Sequence, residues 1–203
     1  MDLSPVTLQG RRVRLEPLSL DLHFKGLLET GLDPDLWRFT LSKVATPDDL
    51  RRYLQDALRE QAAGKALVFA TVDIASGRIA GCTRFGNIET AHRRAEIGWT
   101  WVGRPFQRSP VNTEAKYLML RHAFETWRCL RVELKTGSLN QRSRDAIRRI
   151  GGSEEGTLRK HSIAEDGFVR DTVYFSIIDD EWPSVKARLE VMMAERDQTA
   201  PRD

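Results

Sequence analysis

Residues 95–152 constrain the chain more than any other stretch. AEIGWTWV (95–102) reads as a strand, and GRPFQRSPVN (103–112), broken by two prolines, as a loop. TEAKYLMLRHAFETW (113–127) carries apolar residues at helical spacing, and LRVELKT (130–136) alternates as a second strand. SLN (138–140) leads into QRSRDAIRRIGG, a short helix closed by glycines. A strand that feeds a loop and then a helix start makes a site for an anion, because unpaired backbone N–H groups and the positive end of the helix dipole point the same way. Arg104 and Arg108 add charge to this loop, or are simply solvated on it.

The remaining segments predict a mixed α/β chain with mainly antiparallel strands at both ends. Residues 11–19 alternate, with Val13 and Leu15 on one face, as a half-buried strand near a sheet edge. Residues 20–31 predict a helix with Leu20, Phe24, Leu27 and Leu28 as its apolar stripe and Gly31 as its C-cap. Residues 32–45 are irregular; Trp37 and Phe39 either line a substrate pocket or pin a surface loop. Residues 46–64 form the clearest helix, with Thr46 as N-cap, Pro47 at the first helical position and Asp48 and Asp49 suited to the dipole. Strands at 66–74 and 78–88 flank an Ala-Ser-Gly turn and form an antiparallel meander with 95–102. Residues 153–163 and 167–178 predict a hairpin around Asp166-Gly167, and 181–195 a last helix. The expected organisation is one domain, 1–195, with a frayed tail at 196–203.

By alternation, Ile97, Trp99 and Trp101 share one face of the central strand, and Glu96, Gly98 and Thr100 the other, unless a bulge breaks the parity. Gly98 suggests close approach of a backbone or a ligand. Glu96 is then a carboxylate edging a cleft, or a strand residue paired with Arg93 or Arg94. Asn140 is a helix N-cap or a ligand contact, and Ser143 points inward with Ala146, Ile147 and Ile150. His23, His92, His122 and His161 lack metal or triad spacing; His122 suits helix packing, and His161 can reach an acceptor site from the hairpin. Lys and Arg are spread along the chain, and a formal charge of +3 does not point to nucleic acid. Cys82 and Cys129 have no metal-type spacing and read as buried thiols in a reducing compartment. With no apolar run of membrane length and no signal-peptide pattern, the expectation is a cytoplasmic protein without membrane or metal.

The loop Gln107-Arg108-Ser109-Pro110-Val111-Asn112, with its flanking strand and helix, resembles the acetyl-coenzyme A pyrophosphate loop of the GNAT N-acetyltransferase superfamily, Gln/Arg-x-x-Gly-x-Gly/Ala. Gln107 matches the first position; Pro110 stands where Gly is usual and Asn112 where Gly or Ala is usual. Proline has no N–H, so one potential phosphate donor is missing. EIGWTW, VNTEAKYLMLRHAFE, RVELKT and NQRSRDAIRRIGG, together with an N-terminal LxGRRVRLEPL and a late DGxVRDTV, resemble the RimJ/RimL branch over nearly the whole chain. The resemblance implies a six- or seven-stranded mixed, mainly antiparallel sheet, flanked by helices and splayed at its centre around acetyl-coenzyme A. It also implies acetyl transfer to a primary amine, either a small molecule or a peptide α-amine. Backbone groups around Trp99, Thr100 and Trp101 would then take the pantetheine, and Gln107, Arg108, Val111, Asn112 and Thr113 the pyrophosphate. Asn140 and Ser143 would lie close to the cofactor. For direct attack of the amine, Glu96 is the candidate base and an N–H of Trp99 or Thr100 the oxyanion donor. Ser143, or alternatively Tyr174, is the donor to the departing thiolate. A non-catalytic acyl-coenzyme A sensor on the same fold is the alternative, motivated by Pro110. The acceptor itself is not legible, and the terminal hairpin is free to pair across a homodimer.

Overall fold

The computed structural model describes residues 1–198. Eight strands form one open sheet in the order β1-β2-β3-β4-β5-β6-β8-β7. They are β1 (Leu8–Gln9), β2 (Val13–Pro17), β3 (Leu67–Asp73), β4 (Ile79–Glu89), β5 (Arg94–Val102), β6 (Arg131–Gly137), β7 (Ser153–Ile163) and β8 (Val169–Ile178). Every neighbouring pair is antiparallel except β5–β6, which is parallel. The sequence accounted for seven of these strands; the eighth, β1, is a two-residue edge too short to show a period.

Helices lie on both faces of the sheet. One core holds Phe85, Ile97, Val132 and Phe175 from the sheet against Leu118 and Met119 of α4 (Val111–Arg121), Ile147 of α5 (Gln141–Arg149) and Leu189 of α6 (Trp182–Gln198). The second core holds Val68, Cys82 and Trp101 against Leu27 of α1 (Leu20–Gly31), Trp37 of α2 (Pro34–Trp37) and Leu50 and Leu54 of α3 (Pro47–Ala62). The expected tail from Arg196 falls at this chain end: α6 runs to Gln198, and residues 199–203 lie outside the described residues.

Local chemistry explains the helix boundaries. Thr46 and Asp49 close a reciprocal capping box at the start of α3, so Asp49 does more than complement the dipole. α1 spans the expected residues, but Gly31 is not a left-handed cap. A Cβ there would lie 3.0 Å from the Trp101 ring, so the glycine is a packing residue. α4 starts two residues earlier than its apolar pattern, and its end widens into a π turn over His122–Thr126, with Trp127 N–H bonded to the His122 carbonyl. The buried Glu114 of α4 accepts the backbone N–H groups of Arg11, Arg12 and Val13, each at 2.8 Å, and so fastens the N-terminal strands to this helix. Trp37 is core: 3% exposed, it packs on Tyr53 and Trp101 and donates its indole N–H to the Gly31 carbonyl. The expectation that its side chain walls a substrate pocket is therefore corrected.

Candidate active site at the opening of the sheet

β5 and β6 pair over three residues only, Arg94↔Arg131, Ala95↔Val132 and Glu96↔Glu133. β5 then continues to Val102 and β6 to Gly137 with no ladder between them, so the sheet opens from Glu96 onward. A bulge in β5 bends the strand there. β4 pairs Arg84 with Gly98 and Cys82 with Trp101, which sets three steps of β5 against two of β4. Trp99, inside the bulge, has φ +48°, a conformation that costs a bulky residue about 1–2 kcal/mol. Its surroundings hold it there. The Arg84 guanidinium stacks 4.0 Å from the ring, and Tyr53 Oη donates to the Trp99 carbonyl at 3.4 Å. A Cβ on Gly86 would come within 2.4 Å of the ring.

The bulge overturns the simple alternation. Ile97 and Thr100 face α4, where Thr100 meets Lys116; Glu96, Trp99 and Trp101 face the other side. Trp101 is 4% exposed in the second core, so only its backbone is available to a ligand. On the α4 side the Lys116 ammonium is buried with hydroxyl partners alone, Thr100 Oγ1 at 2.6 Å and Thr83 Oγ1 at 3.2 Å. Burial pushes its pKa down to about 7.

Glu96 sits where pairing stops and is 3% exposed. Its Oε2 accepts from Asn87 Nδ2 at 2.7 Å and Lys135 Nζ at 2.8 Å. Its Oε1 lies over Gly98, 3.0 Å from where a Cβ would be, so the close approach expected at this glycine is that of the carboxylate itself. Arg94 binds Glu133 instead, which removes the simple Glu96–Arg94 pairing. Burial pushes the Lys135 ammonium down, but the adjacent carboxylate outweighs this and holds it above the ordinary lysine range. Lys135 Nζ is 5.3 Å from the Tyr174 ring, whose hydroxyl reaches His161 Nε2 at 3.5 Å. Glu96, Lys135, Tyr174 and His161 thus form one polar cluster on the side of α1–α3. Ser143 belongs to α5 on the opposite side, half-buried, and Asn140 Oδ1 accepts its N–H at 3.1 Å, a plain N-cap bond.

The loop after β5 ends at α4 without a side-chain cap. Val111 N–H donates to Ser109 Oγ at 3.3 Å, and Glu114 N–H to the Pro110 carbonyl. The N–H groups of Asn112 and Thr113, between them, have no acceptor among the described residues. The buried Asn112 Oδ1 also lacks a partner. Gln107 closes the loop by donating to the Val102 carbonyl at 2.9 Å, and Arg108 is exposed with φ +62°. Arg104 does not serve this end. Asp33, the N-cap of α2, and Asp35 within it bind it, at 2.8 and 2.9 Å, so its expected place beside an anion is corrected. Arg149 of α5 reaches the same helix start and donates to Thr113 Oγ1 at 3.0 Å. Among the described residues no group of three His, Cys, Asp or Glu side chains is set to hold a metal, and no helix is long and apolar enough to cross a membrane.

Asn87, Lys135, Arg149 and Lys116 escaped the sequence reading. The first three acquire meaning only when strand and helix pairing sets them beside Glu96 or Thr113. Lys116 alone left a signal, a charge in the middle of the apolar helix 113–127.

An open parallel junction, a bulged central strand and an uncapped helix start describe a class of acyl-transfer fold, and the comparisons agree. The model of the acetyltransferase (GNAT) domain family matches residues 12–153, and the chain belongs to that family. A solved structure described as a putative acetyltransferase from T. thermophilus is 39% identical, with a TM-score of 0.86 over 95% of this chain and 99% of that one. The Bacillus subtilis (strain 168) protein named "Putative ribosomal N-acetyltransferase YdaF" is 29% identical over 150 residues, 74% of this chain and 80% of that protein. Mycobacterium smegmatis RimJ, solved in complex with CoA-disulfide, shares the fold at 24% identity, with a TM-score of 0.76 over 96% of this chain and 97% of that one.

Proposed function

We propose that this acetyltransferase moves an acetyl group from acetyl-coenzyme A to a primary amine by direct attack, within the RimJ/RimL-like branch of its family. The observation that carries the reading is the three-residue limit of β5–β6 pairing, which leaves the edge of β5 from Ile97 to Val102 open beside the free donors of α4. An extended amide arm fits that edge as an added strand. A pyrophosphate fits the N–H groups of Asn112 and Thr113, with Arg108 beside them. Pro110 removes one donor from this set but stands at the N-cap, so the N–H groups of Asn112 and Thr113 behind it remain without an acceptor among the described residues. When bound, acetyl-coenzyme A supplies a thioester carbonyl open to attack by an amine.

The chain's own groups would do the rest. Glu96 takes the amine proton, directly or through water, using the carboxylate oxygen that Asn87 and Lys135 leave over Gly98. The backbone N–H of Trp99 or Thr100, at the bulge, would donate to the carbonyl oxygen as charge develops on it. Ser143, on the α4–α5 side of the sheet, and Tyr174, in the Glu96 cluster, are the two candidate donors to the leaving thiolate. Holding both substrates in line supplies much of the acceleration.

Calorimetry with acetyl-coenzyme A, followed by thiol release in an amine panel, tests the proposal. The expected result is saturable binding and turnover, with Glu96→Gln lowering kcat by about 100-fold or more while binding is kept. Failure to bind at millimolar ligand overturns it. Binding without turnover of any amine, or with turnover untouched by Glu96→Gln, would favour the acyl-coenzyme A sensor or a different base.

A further inference from the structure

The end of β6 beyond the opening carries a cation with no carboxylate in contact among the described residues. Arg170 precedes Thr172 and Tyr174 on the same face of β8 by alternation, and half-buried it leans across the end of β6. Its Cδ lies 3.0 Å from where a Gly137 Cβ would be, and the Phe39 carbonyl lies 3.9 Å from the same point. Gly137 therefore makes the room this side chain occupies. The segment around Phe39 closes the wall. Glu165 N–H donates to the Leu41 carbonyl at 2.9 Å, Lys43 N–H to Glu165 Oε2 at 2.7 Å, and Lys43 Nζ meets Asp166 at 3.2 Å.

The neighbouring cations are engaged: Lys135 by Glu96, Lys43 by Asp166, Arg131 by Glu133 and Glu155. Arg170 has no carboxylate within 4.0 Å among the described residues; its hydrogen bond is a long one from Nε to Thr172 Oγ1, 3.3 Å. Glu96 and Tyr174 act on it only through space, and burial outweighs them. The two Nη groups have no hydrogen-bond partner among the described residues and are not buried. A half-buried guanidinium with no counter-charge in contact costs stability, and a forked donor of this kind matches a carboxylate in two parallel hydrogen bonds.

We infer that Arg170 makes the acceptor subsite selective for a primary amine that carries a carboxylate a short distance from the amine. This rests on the acetyl-transfer reading above, with the amine at Glu96. Arg170 packs over Gly137, and Lys135, the partner of Glu96, is the adjacent same-face position of β6, roughly 6–7 Å away along the backbone. That separation suits the ends of a dipeptide or of an ω-amino acid. It disfavours a diamine or polyamine, whose second ammonium would meet Arg170 with Lys135 close by.

The test uses the whole chain, acetyl-coenzyme A and matched acceptors: dipeptides against their C-terminal amides, and ω-amino acids against diamines of equal length. The acids should exceed their partners by about 10- to 100-fold in kcat/KM, mainly through KM, the size of one charge-assisted hydrogen-bond pair. Arg170→Gln should bring that ratio close to one and leave the acetyl-coenzyme A dissociation constant unchanged, while Arg170→Lys keeps part of the preference. The ratio is the readout that a merely structural loss would not move. Equal use of acids and amides, a preference for diamines, equal losses on both members of a pair in Arg170→Gln, or no turnover of any acid while acetyl-coenzyme A still binds would each overturn the inference. Absence of acetyl-coenzyme A binding would overturn the underlying reading instead.

Discussion

Replacing Lys116 by Met should stabilise the protein, and the gain should shrink as pH rises. The ammonium is 6% exposed in the middle of α4, with two threonine hydroxyls as its partners. Its pKa falls from the ordinary 10.5 to about 7. Between those values the folded chain binds fewer protons than the unfolded chain, so stability rises with pH across that window and is level with respect to this group outside it. One pKa unit is about 1.4 kcal/mol, so the charged lysine costs at most about 5 kcal/mol below pH 7 relative to pH above 10. Methionine has the same reach and no charge, and Thr83 and Thr100 keep their mutual bond of 2.7 Å. Urea unfolding at half-unit steps from pH 6 to 9.5 checks this. Lys116→Met should exceed the parent by several kcal/mol at pH 6, with the difference falling by roughly 1 kcal/mol per unit above pH 7.5. Parallel pH profiles, or a variant less stable than the parent at pH 6, would refute the claim that an uncompensated ammonium lies in this core.

Three further substitutions separate structural from catalytic roles. Glu114→Ala leaves three backbone N–H groups of the N-terminal strands without their acceptor; a loss of about 3–5 kcal/mol in urea unfolding is expected, and a loss under 1 kcal/mol would contradict the anchoring. Trp37→Ala should cost about 3–5 kcal/mol, because the ring is core; unchanged stability with a raised acceptor KM would return it to the pocket. Gly86→Ala should displace the Trp99 ring and relax the bulge, lowering kcat about tenfold or more while costing only about 1–3 kcal/mol of stability; a fully active variant would separate the bulge from catalysis.

The elements were legible where local rules act alone. Thr46, Pro47 and the Leu50–Leu54 stripe mark α3 whatever the rest of the chain does, and Asp166-Gly167 turns the last hairpin with Gly167 at φ +82°. Glu96 and Tyr174 were legible as candidates but not as neighbours, because Lys135 joins them only through the parallel pairing of β5 with β6 and the register of β6 with β8. The place of the bulge, at Trp99, was not legible. Nothing local requires φ > 0 at a tryptophan; it is imposed by Arg84, Gly86 and Tyr53, which come from two other elements. Arg104 was misread for a similar reason, since the aspartates that hold it lie 71 and 69 residues earlier. For Trp37 the pocket and the pinned loop stayed open, because a loop tryptophan carries no period to show that it faces inward; its packing on Tyr53 and Trp101 selects the second.

Several unfavourable features converge on β5. Trp99 has a left-handed backbone, Arg84 is 6% exposed under its ring with Nε unpartnered, and Lys116 is buried beneath Thr100 on the opposite face. Glu96, 3% exposed, completes the set three residues away. They lie between the two apolar cores that pack on either side of the sheet. They gather along the stretch of β5 that does not pair with β6. With an ordinary alternating strand in place of the bulge, Thr100 would turn away from Lys116 and the edge beyond Glu96 would be free to pair with Leu134–Gly137, closing the space that an extended substrate needs. The strain thus lies along the edge that stays open, and a substitution that removes it without adding a clash, as Lys116→Met does, should yield a more stable protein.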